Sequence, residues 1–385
     1  MKQVFKLSLC LLVTMALIIS ANVVQAQVPF EIDAKSAVLL DADSGQILFS
    51  QNGDETHIPA SLVKVMTLFI ALDQIADGRI DLTDEVIVSE NAWRMTGSQM
   101  FLEVGERVTI EELLYGVAVV SGNDATVSIA EALAGSEQLY VQWMNEKARS
   151  LGLNAQFVDV HGLSVENRIS AKDMAILARE YVIKHPDALQ YHQRRSFSYQ
   201  PRSAAQPIVQ SNRNGLLWRY EGTDGLKTGF LSQAGYNLVA TAKQGERRLI
   251  AVVLGAPSEQ VRENEAIRLL NYGFRNFQLV DINSVLPEDQ VKVYKGQKGS
   301  VKVAAANSLI TIPNGSMDNL NVEVQTEMIQ APVQIDQEVG KAVVIHNEQV
   351  IKEIPLLASE EVSRGSWFRV LLDTIALFFM SLFER

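Results

Sequence analysis

The spacing of apolar residues changes along the chain and predicts a different structure for each part. The segment 109–120 has apolar residues at helical spacing and opens with a capping-box pattern, Thr-x-x-Glu. Apolar runs at 36–50, 237–242 and 248–255 predict strands, the first of them a hairpin. Helices in the middle with strands from both ends predict an α+β fold, in which helices cover an antiparallel sheet.

The remaining predicted elements of this first part follow the same rules of periodicity. They are a strand at 82–89 and helices at 65–72, from near Ala125, at 137–151, at 171–184 and at 266–277. Together they predict one domain over residues 27–277.

After residue 278 the apolar runs become short and alternating, and Gly, Pro and Asn separate them. This pattern predicts a small all-β domain over 278–360. The last segment, 366–385, is strongly apolar, with Ser366, Arg369 and Asp373 on one stripe of a helix. We interpret it as an amphipathic helix lying in a membrane surface. A helix docked on the domain is the alternative, and the two internal charges disfavour a spanning helix.

The N-terminus has the three parts of a secretory signal peptide. Lys2 and Lys6 precede an apolar run at 7–19, and Ala26 ends a polar stretch at the predicted cleavage site. Loss of residues 1–26 removes two lysines, no acidic residue and the single cysteine, so the formal net charge falls from −11 to −13. An acidic, exported chain is not expected to bind nucleic acid. The predicted location is the periplasm or outer surface of a bacterium.

Ser61 and Lys64 stand three residues apart at the start of the helix predicted at 65–72, just after Pro59. That spacing places both side chains on one face, where a lysine with a lowered pKa could take the proton of a serine nucleophile. The same four residues also fit an ordinary serine and lysine on a protein surface.

Two further tripeptides favour the catalytic interpretation of Ser61 and Lys64. They are Ser121-Gly122-Asn123, at the end of a predicted helix, and Lys227-Thr228-Gly229, before a predicted strand. Each alone fits a turn, but Ser-x-x-Lys, Ser-x-Asn and Lys-Thr-Gly in this order form the set of penicillin-recognising serine enzymes. No phosphate-binding loop and no His/Cys cluster with metal spacing is apparent, so neither a cofactor nor a metal is predicted.

The chain resembles the D-alanyl-D-alanine carboxypeptidases of peptidase family S11, the low-molecular-mass penicillin-binding proteins, over essentially its whole length. Besides the three motifs, the resemblance rests on Val160-His161-Gly162-Leu163, Asp173-Met174-Ala175 and Ala234-Gly235-Tyr236-Asn237-Leu238. It implies a transpeptidase-like domain of the penicillin-binding and β-lactamase type, an all-β domain and a membrane-anchoring tail. Val63 departs from the threonine common there, and we expect local repacking only.

The resemblance implies a role for each motif residue. Ser61 would be the nucleophile, Lys64 its general base and Ser121 the proton relay to the leaving amine. Substrate binding would involve Asn123 at the substrate amide, Lys227 and Thr228 at the terminal carboxylate, Gly229 where the substrate backbone meets the strand, and Phe230, whose N–H completes an oxyanion hole with that of Ser61. Asp173 is either a supporting residue or an ordinary helix acid.

The expected function is therefore a serine carboxypeptidase that removes the terminal D-alanine from peptidoglycan stem peptides ending in D-Ala-D-Ala. Its expected partners are that peptide, β-lactam antibiotics that acylate Ser61, and the periplasmic face of the bacterial cytoplasmic membrane. The alternatives are a β-lactamase, a D,D-endopeptidase acting on crosslinked peptides, and a penicillin-binding scaffold without turnover.

Overall fold

The computed structural model describes residues 30–383, so the predicted signal peptide and the last two residues of the predicted anchor helix lie outside it. The strands are β1 (Ser36–Asp41), β2 (Ile47–Gln51), β3 (Thr56–His57), β4 (Glu85–Ile87), β5 (Arg107–Thr109), β6 (Ile169–Ser170), β7 (Ser196–Tyr199), β8 (Ile208–Ser211), β9 (Thr223–Leu231), β10 (Gly235–Gln244), β11 (Arg247–Ala256), β12 (Phe277–Asp281), β13 (Gln290–Tyr294), β14 (Ser300–Ala305), β15 (Leu309–Pro313), β16 (Leu320–Gln325), β17 (Ile329–Gln330), β18 (Glu338–His346) and β19 (Gln349–Ala358). The helices are α1 (Val63–Ala76), α2 (Glu90–Trp93), α3 (Ile110–Val119), α4 (Asn123–Ala134), α5 (Glu137–Ser150), α6 (Ala171–Lys184), α7 (Leu189–His192), α8 (Leu216–Arg219), α9 (Glu259–Asn276) and α10 (Trp367–Phe383).

The main sheet has five antiparallel strands in the order β2-β1-β11-β10-β9. Its central strands are buried on both faces, because α6 packs on one face and α9 on the other. Val38 and Ile250 face the core shared with α6, whereas a Cβ on Gly273 of α9 would lie 2.6 Å from Leu249 and 2.7 Å from Leu39. Burial on both faces explains why these strands read as continuous apolar runs.

Helix α1 is buried from Val63 to Leu72 and is surrounded by α3, α4, α5 and α6. A helix that is apolar all round belongs in a core rather than at a surface. Its first turn follows the 3-10 turn Ala60–Leu62, which packs against β9. The beginning of the most buried helix is thereby held at the edge of the main sheet.

The predicted α+β class is confirmed, and several element boundaries differ from expectation; the helix predicted at 65–72, for example, spans Val63–Ala76. The strand predicted at 82–89 is reduced to β4. The helix expected near Ala125 begins at Asn123, the last residue of the Ser-Gly-Asn motif. Helix α9 begins seven residues before the predicted 266, because the Ser258 side chain caps it by accepting from Val261 N. Its first two turns are polar, so apolar periodicity could not reveal them.

The all-β part expected after residue 278 is present, with a core of its own. One sheet has the strand order β16-β18-β19-β14-β13-β17, and β12 pairs with β15. Val301, Ile310 and Leu356 lie in this second core. It contacts the first part where Ser44 Oγ lies 2.7 Å from Thr311 Oγ1.

Helix α10 contacts the all-β part through Asp373 and Met380, and most of its large apolar side chains are exposed. Asp373 accepts from the backbone N–H of Lys295, and Arg369 Nε donates to the same carboxylate at 3.4 Å. Within residues 30–383, no helix is both long enough and apolar enough to span a bilayer. The exposed large side chains of this helix are Trp367, Phe368, Leu371, Leu372, Ile375, Phe378, Phe379, Met380 and Leu382.

A buried ion pair joins the main sheet to the start of the second part. Arg247 Nε donates to Asp41 Oδ2 at 2.7 Å, and Asp41 is fully buried. The Arg247 guanidinium also donates to Phe277 O at 2.7 Å and to Gly273 O at 3.1 Å. One side chain thus links strand β1, helix α9 and the beginning of β12.

We predict that Arg247→Ala lowers the free energy of unfolding by about 3–5 kcal/mol, because it leaves the Asp41 carboxylate buried without its counter-charge. Urea unfolding followed by circular dichroism measures the change. Lys243→Ala is the control, since its pair with Glu246 is exposed and no measurable loss is expected. A loss below about 1 kcal/mol for Arg247→Ala would contradict the importance of this pair.

Candidate active site

The turn that carries Ser61 is attached to the main sheet by hydrogen bonds. Asn237, fully buried on β10, donates from Nδ2 to Ile58 O at 2.9 Å and to Pro59 O at 3.1 Å. Its Oδ1 accepts from Gly255 N on β11 at 2.8 Å. One amide side chain therefore connects two strands with the residues that precede the serine.

Gly229 lets strand β9 pass directly beside this turn. A Cβ at position 229 would lie 2.8 Å from Pro59 O and 3.1 Å from Ser61 N. The family resemblance implies that this glycine lets the substrate backbone approach the strand. The structure adds a second reason, since any side chain here would push the strand away from the serine.

Lys64 is fully buried one turn after Ser61, and its Nζ has three oxygen neighbours. They are Ser61 Oγ at 3.1 Å, Asn123 Oδ1 at 2.7 Å and the carbonyl oxygen of His161 at 2.6 Å. A neutral lysine amine has two N–H donors and one lone pair. With the two carbonyl oxygens taking the N–H groups, the lone pair is directed at the Ser61 hydroxyl, as a general base requires.

Burial also favours the neutral amine. It lowers the pKa of Lys64 from its ordinary value to about 7. Among nearby charges, Asp159 and Asp124 raise the pKa of Lys64, and Arg213 lowers it. Near neutral pH, a large fraction of the amine is therefore free to accept a proton.

Lys227 and Ser121 complete the buried polar groups of the site. Burial, and then the charges of Lys64, Arg213 and Arg262, hold the pKa of Lys227 well below its usual range. Its Nζ donates to Thr228 O at 3.1 Å. The backbone of Ser121 is left-handed, with φ +63°, and its buried Oγ has no hydrogen-bond partner among residues 30–383.

A cleft opens over these groups. Six residues predicted from the motifs line it, namely Ser61, Ser121, Asn123, Thr228, Gly229 and Phe230. The other lining residues are Gly97, Ser98, Leu163, Arg213, Leu231, Tyr236, Glu259 and Arg262. Phe230 is half exposed and packs on Tyr236, with ring centroids 4.4 Å apart.

One wall of the cleft is held by the acid that follows the Ser-Gly-Asn motif. The buried Asp124 carboxylate accepts from the backbone N–H groups of Met100 and Phe101, each at 2.8 Å, and of Leu102 at 3.1 Å. Asn123 Nδ2 donates to Thr96 O at 2.6 Å. Two consecutive side chains thus fix the segment that includes Gly97 and Ser98.

Two other positions singled out from the sequence lie away from the reacting groups. Asp173 forms a reciprocal cap with Ser170, whose Oγ accepts from Asp173 N at 3.0 Å and donates to Asp173 Oδ2 at 2.6 Å. Val63 is fully buried in the core at the start of α1. Neither residue lines the cleft.

Comparison with known proteins identifies the family of this chain. The model of the family described as D-alanyl-D-alanine carboxypeptidase, peptidase S11, matches residues 22–258. The chain belongs to the D-alanyl-D-alanine carboxypeptidase family. Residues 274–364 match the C-terminal domain of penicillin-binding protein 5.

Curated relatives and solved structures agree with this membership. The carboxypeptidase is 36% identical over 356 residues to D-alanyl-D-alanine carboxypeptidase DacF of Bacillus subtilis, which covers 89% of both chains. It is 37% identical over 363 residues to DacC of Escherichia coli, covering 90% of this chain and 89% of that one. Penicillin-binding protein 5 from Haemophilus influenzae has a similar structure, with a TM-score of 0.80, 37% identity, and coverage of 88% of this chain and 99% of that chain.

Several residues of this carboxypeptidase's site could not be predicted from the sequence motifs. Arg262 stands in the polar first turns of α9 and reads as a surface residue, yet it is only 3% exposed and lines the cleft. Arg213 lies between two asparagines in an irregular segment. Asn237 and His161 belong to motifs that carried the resemblance, but the sequence alone gave no contact for either. The family motifs pointed to these last two positions without revealing their function.

We predict that the rate at which penicillin acylates Ser61 rises with pH and is half-maximal near the Lys64 pKa of about 7. Lowering the pH protonates Nζ and removes the lone pair, so the rate falls on the acid side. Stopped-flow mixing with a fluorescent penicillin gives the profile. A rate independent of pH between about 5 and 9 would rule out Lys64 as the titrating base.

Proposed function

We propose that this carboxypeptidase releases the terminal D-alanine from peptidoglycan stem peptides ending in D-Ala-D-Ala, through an ester on Ser61. The observation that carries the proposal is the placement of the Lys64 amine. Two carbonyl oxygens lie 2.6 and 2.7 Å from Nζ, which leaves the lone pair for Ser61 Oγ at 3.1 Å.

Acylation follows from these contacts. Nζ of Lys64 takes the hydroxyl proton as Ser61 Oγ attacks the carbonyl carbon of the penultimate D-alanine. The backbone N–H groups of Ser61 and Phe230 stabilise the oxyanion that forms. The C–N bond then breaks, and the departing amine receives a proton through Ser121, whose hydroxyl has no other partner in the described part of the chain.

The substrate's terminal carboxylate binds among the cations of the cleft. Arg213 and Arg262 lie close enough to Lys227 to lower its pKa, and Thr228 lines the same cleft as these two arginines. Binding of an anion raises the pKa of Lys227, because it offsets the neighbouring positive charges that lower that pKa. A carboxylate therefore suits this position better than a neutral peptide end.

The penultimate residue binds on the other side, at Asn123. Oδ1 of Asn123 is used by Lys64, and one of its two amide hydrogens by Thr96 O. The second hydrogen remains for a carbonyl oxygen of the stem peptide. Water then attacks the ester carbonyl, Ser61 regains its proton, and the shortened stem leaves. A β-lactam, which resembles the D-Ala-D-Ala end, acylates Ser61 in the same way.

The first experiment measures D-alanine released from a pentapeptide ending in Lys-D-Ala-D-Ala. We predict that Ser61→Ala abolishes release, a loss of at least roughly 10³-fold, because Ser61 Oγ is the hydroxyl that lies 3.1 Å from the Lys64 amine. Ser150→Ala, at the exposed end of α5, is the matched control and should release D-alanine at the parent rate.

Other outcomes separate the alternatives. Release only from crosslinked peptides would identify an endopeptidase. Rapid turnover of penicillin would identify a β-lactamase. A stable penicillin ester on Ser61, with no release from any peptide, would identify a binding scaffold. Release that persists in Ser61→Ala would overturn the proposed nucleophile.

We further propose that α10 anchors the protein to the periplasmic face of the bacterial cytoplasmic membrane, lying in the interface. Its polar stripe is engaged by the all-β part through Asp373 and Lys295. The apolar side chains that remain exposed, including Phe378 and Phe379, form a surface suited to the boundary between headgroups and acyl chains.

Substitution on the apolar face tests the anchor. We predict that the double substitution Phe378→Glu and Phe379→Glu weakens binding to vesicles of phosphatidylethanolamine and phosphatidylglycerol by at least roughly 10-fold in a sedimentation assay, since two charges enter the apolar face. Val350→Glu alters an exposed apolar residue on β19 and should bind like the parent. Equal binding by all three proteins would show that the helix does not anchor the chain.

A further inference from the structure

The segment between α5 and β6 approaches α1 with two successive carbonyl groups. Thr67 Oγ1 donates to Val160 O at 2.7 Å, and one turn earlier Lys64 Nζ donates to His161 O at 2.6 Å. Residues three apart lie on the same face of a helix, so α1 contacts this segment along one edge. The position of the His161 carbonyl therefore depends on how the segment itself is held.

Asp159 stabilises this segment by accepting hydrogen bonds from its backbone. Its Oδ1 accepts from Gly162 N at 2.6 Å, and its Oδ2 accepts from Ser164 N at 2.6 Å. Asn167, fully buried, donates from Nδ2 to Asp159 Oδ1 at 3.1 Å, and its own Oδ1 accepts from Val158 N at 2.9 Å. Both oxygens of the carboxylate are thus used to fold residues 159–164, which we call the 159–164 turn.

The 159–164 turn also touches the peptide that precedes the nucleophile. Gly162 has φ +87°, and a Cβ there would lie 2.0 Å from Ala60 O and 2.9 Å from Ser61 N. No side chain fits in that space. Any movement of the turn would be transmitted to both Ser61 and Lys64.

We propose that Asp159 is a positioning residue for the general base: it folds the 159–164 turn so that the His161 carbonyl lies against Lys64 Nζ and the amine lone pair is directed at Ser61. The proposal rests on the proposed function, in which Lys64 is that base. Asp159 does not itself contact the cleft, since Leu163 is the residue of the turn that lines it.

The charge of Asp159 acts on Lys64 as well. The charged and titratable groups that influence or adjoin Lys64 are Asp159 and His161 from the turn, Asp124 from α4, Arg213 from the segment before α8, and Lys227 from β9. Burial lowers the pKa of His161 to about 4, and its Nδ1 accepts from Leu163 N at 3.2 Å. The imidazole is therefore neutral at the pH of the reaction and does not cancel the charge of Asp159.

The test is the pH profile of Ser61 acylation by a fluorescent penicillin in the variant Asp159→Asn. Asparagine has one acceptor oxygen for two backbone N–H groups, and it carries no charge. We expect the acid limb of the profile to move to lower pH by about one unit, because a charge that favours protonated Lys64 is gone. The plateau at high pH should fall roughly 10- to 100-fold, because the amine is no longer aligned.

Glu137→Gln is the matched control. Glu137 Oε1 lies 3.5 Å from His161 Nε2 and accepts from Val160 N at 3.3 Å, so it borders the same segment. Glutamine keeps an acceptor for Val160 N, and Glu137 is not among the charges that act on the pKa of Lys64. Both the acid limb and the plateau should stay within about twofold of the parent.

Asp159→Glu separates charge from position and serves if the asparagine variant does not fold. Its charge remains, but its oxygens are displaced by one methylene, so we expect an unmoved acid limb and a lowered plateau. The proposal is overturned if either Asp159→Asn or Asp159→Glu keeps the parent's plateau at high pH. Acylation by penicillin is read directly, so the result stands even if the parent releases no D-alanine from peptides.

Discussion

The structure depends on the burial of one amine. Burying a charged ammonium in a protein interior costs free energy. Burial therefore lowers the pKa of a lysine, and the amine can be neutral near pH 7. Lys64 meets this condition with hydrogen bonds to two carbonyl oxygens, one from Asn123 at the start of α4 and one from His161. Both oxygens accept a hydrogen bond from an N–H group, and neither requires the amine to be charged. The same arrangement that makes the lysine tolerable inside the protein leaves its amine lone pair available for the base role that we propose.

The rest of the catalytic part keeps the elements around that amine from moving apart. The main sheet is packed by helices on both faces and offers a rigid edge, to which Asn237 and Gly229 hold the serine turn. Two residues have left-handed backbones at the site: Ala60, with φ +51°, directly precedes Ser61, and Ser121, with φ +63°, lines the cleft. Such conformations cost free energy in residues other than glycine, and they persist only where the surroundings enforce them.

The sequence predicted the site residues that lie close together along the chain within a short motif. Ser61 and Lys64 share a helical turn, and the Ser-Gly-Asn and Lys-Thr-Gly motifs name residues that line the same cleft or lie beside it. Periodicity also predicted the α+β class and the capped helix α3. It could not predict Asp159, Arg213 or Arg262, because these residues lie up to 201 positions from Ser61 and reach the site only through the fold. The polar beginning of α9 was missed for a related reason, since Arg262 is buried among polar neighbours rather than in an apolar stripe.

The two buried lysines beside the cleft differ in their surroundings, and the difference agrees with the two roles that we propose for them. Lys64 has carboxylates on its side, Asp159 and Asp124, which keep its pKa near neutrality despite burial. The charges acting on Lys227 are all positive, so it lacks a counter-ion until an anion enters the cleft. Under the proposed function, the substrate's carboxylate would supply that counter-ion and favour the charged form of Lys227. In that case the carboxylate also offsets the positive charge of Lys227 at Lys64, so the pKa of Lys64 stays governed by its burial and by Asp159 and Asp124.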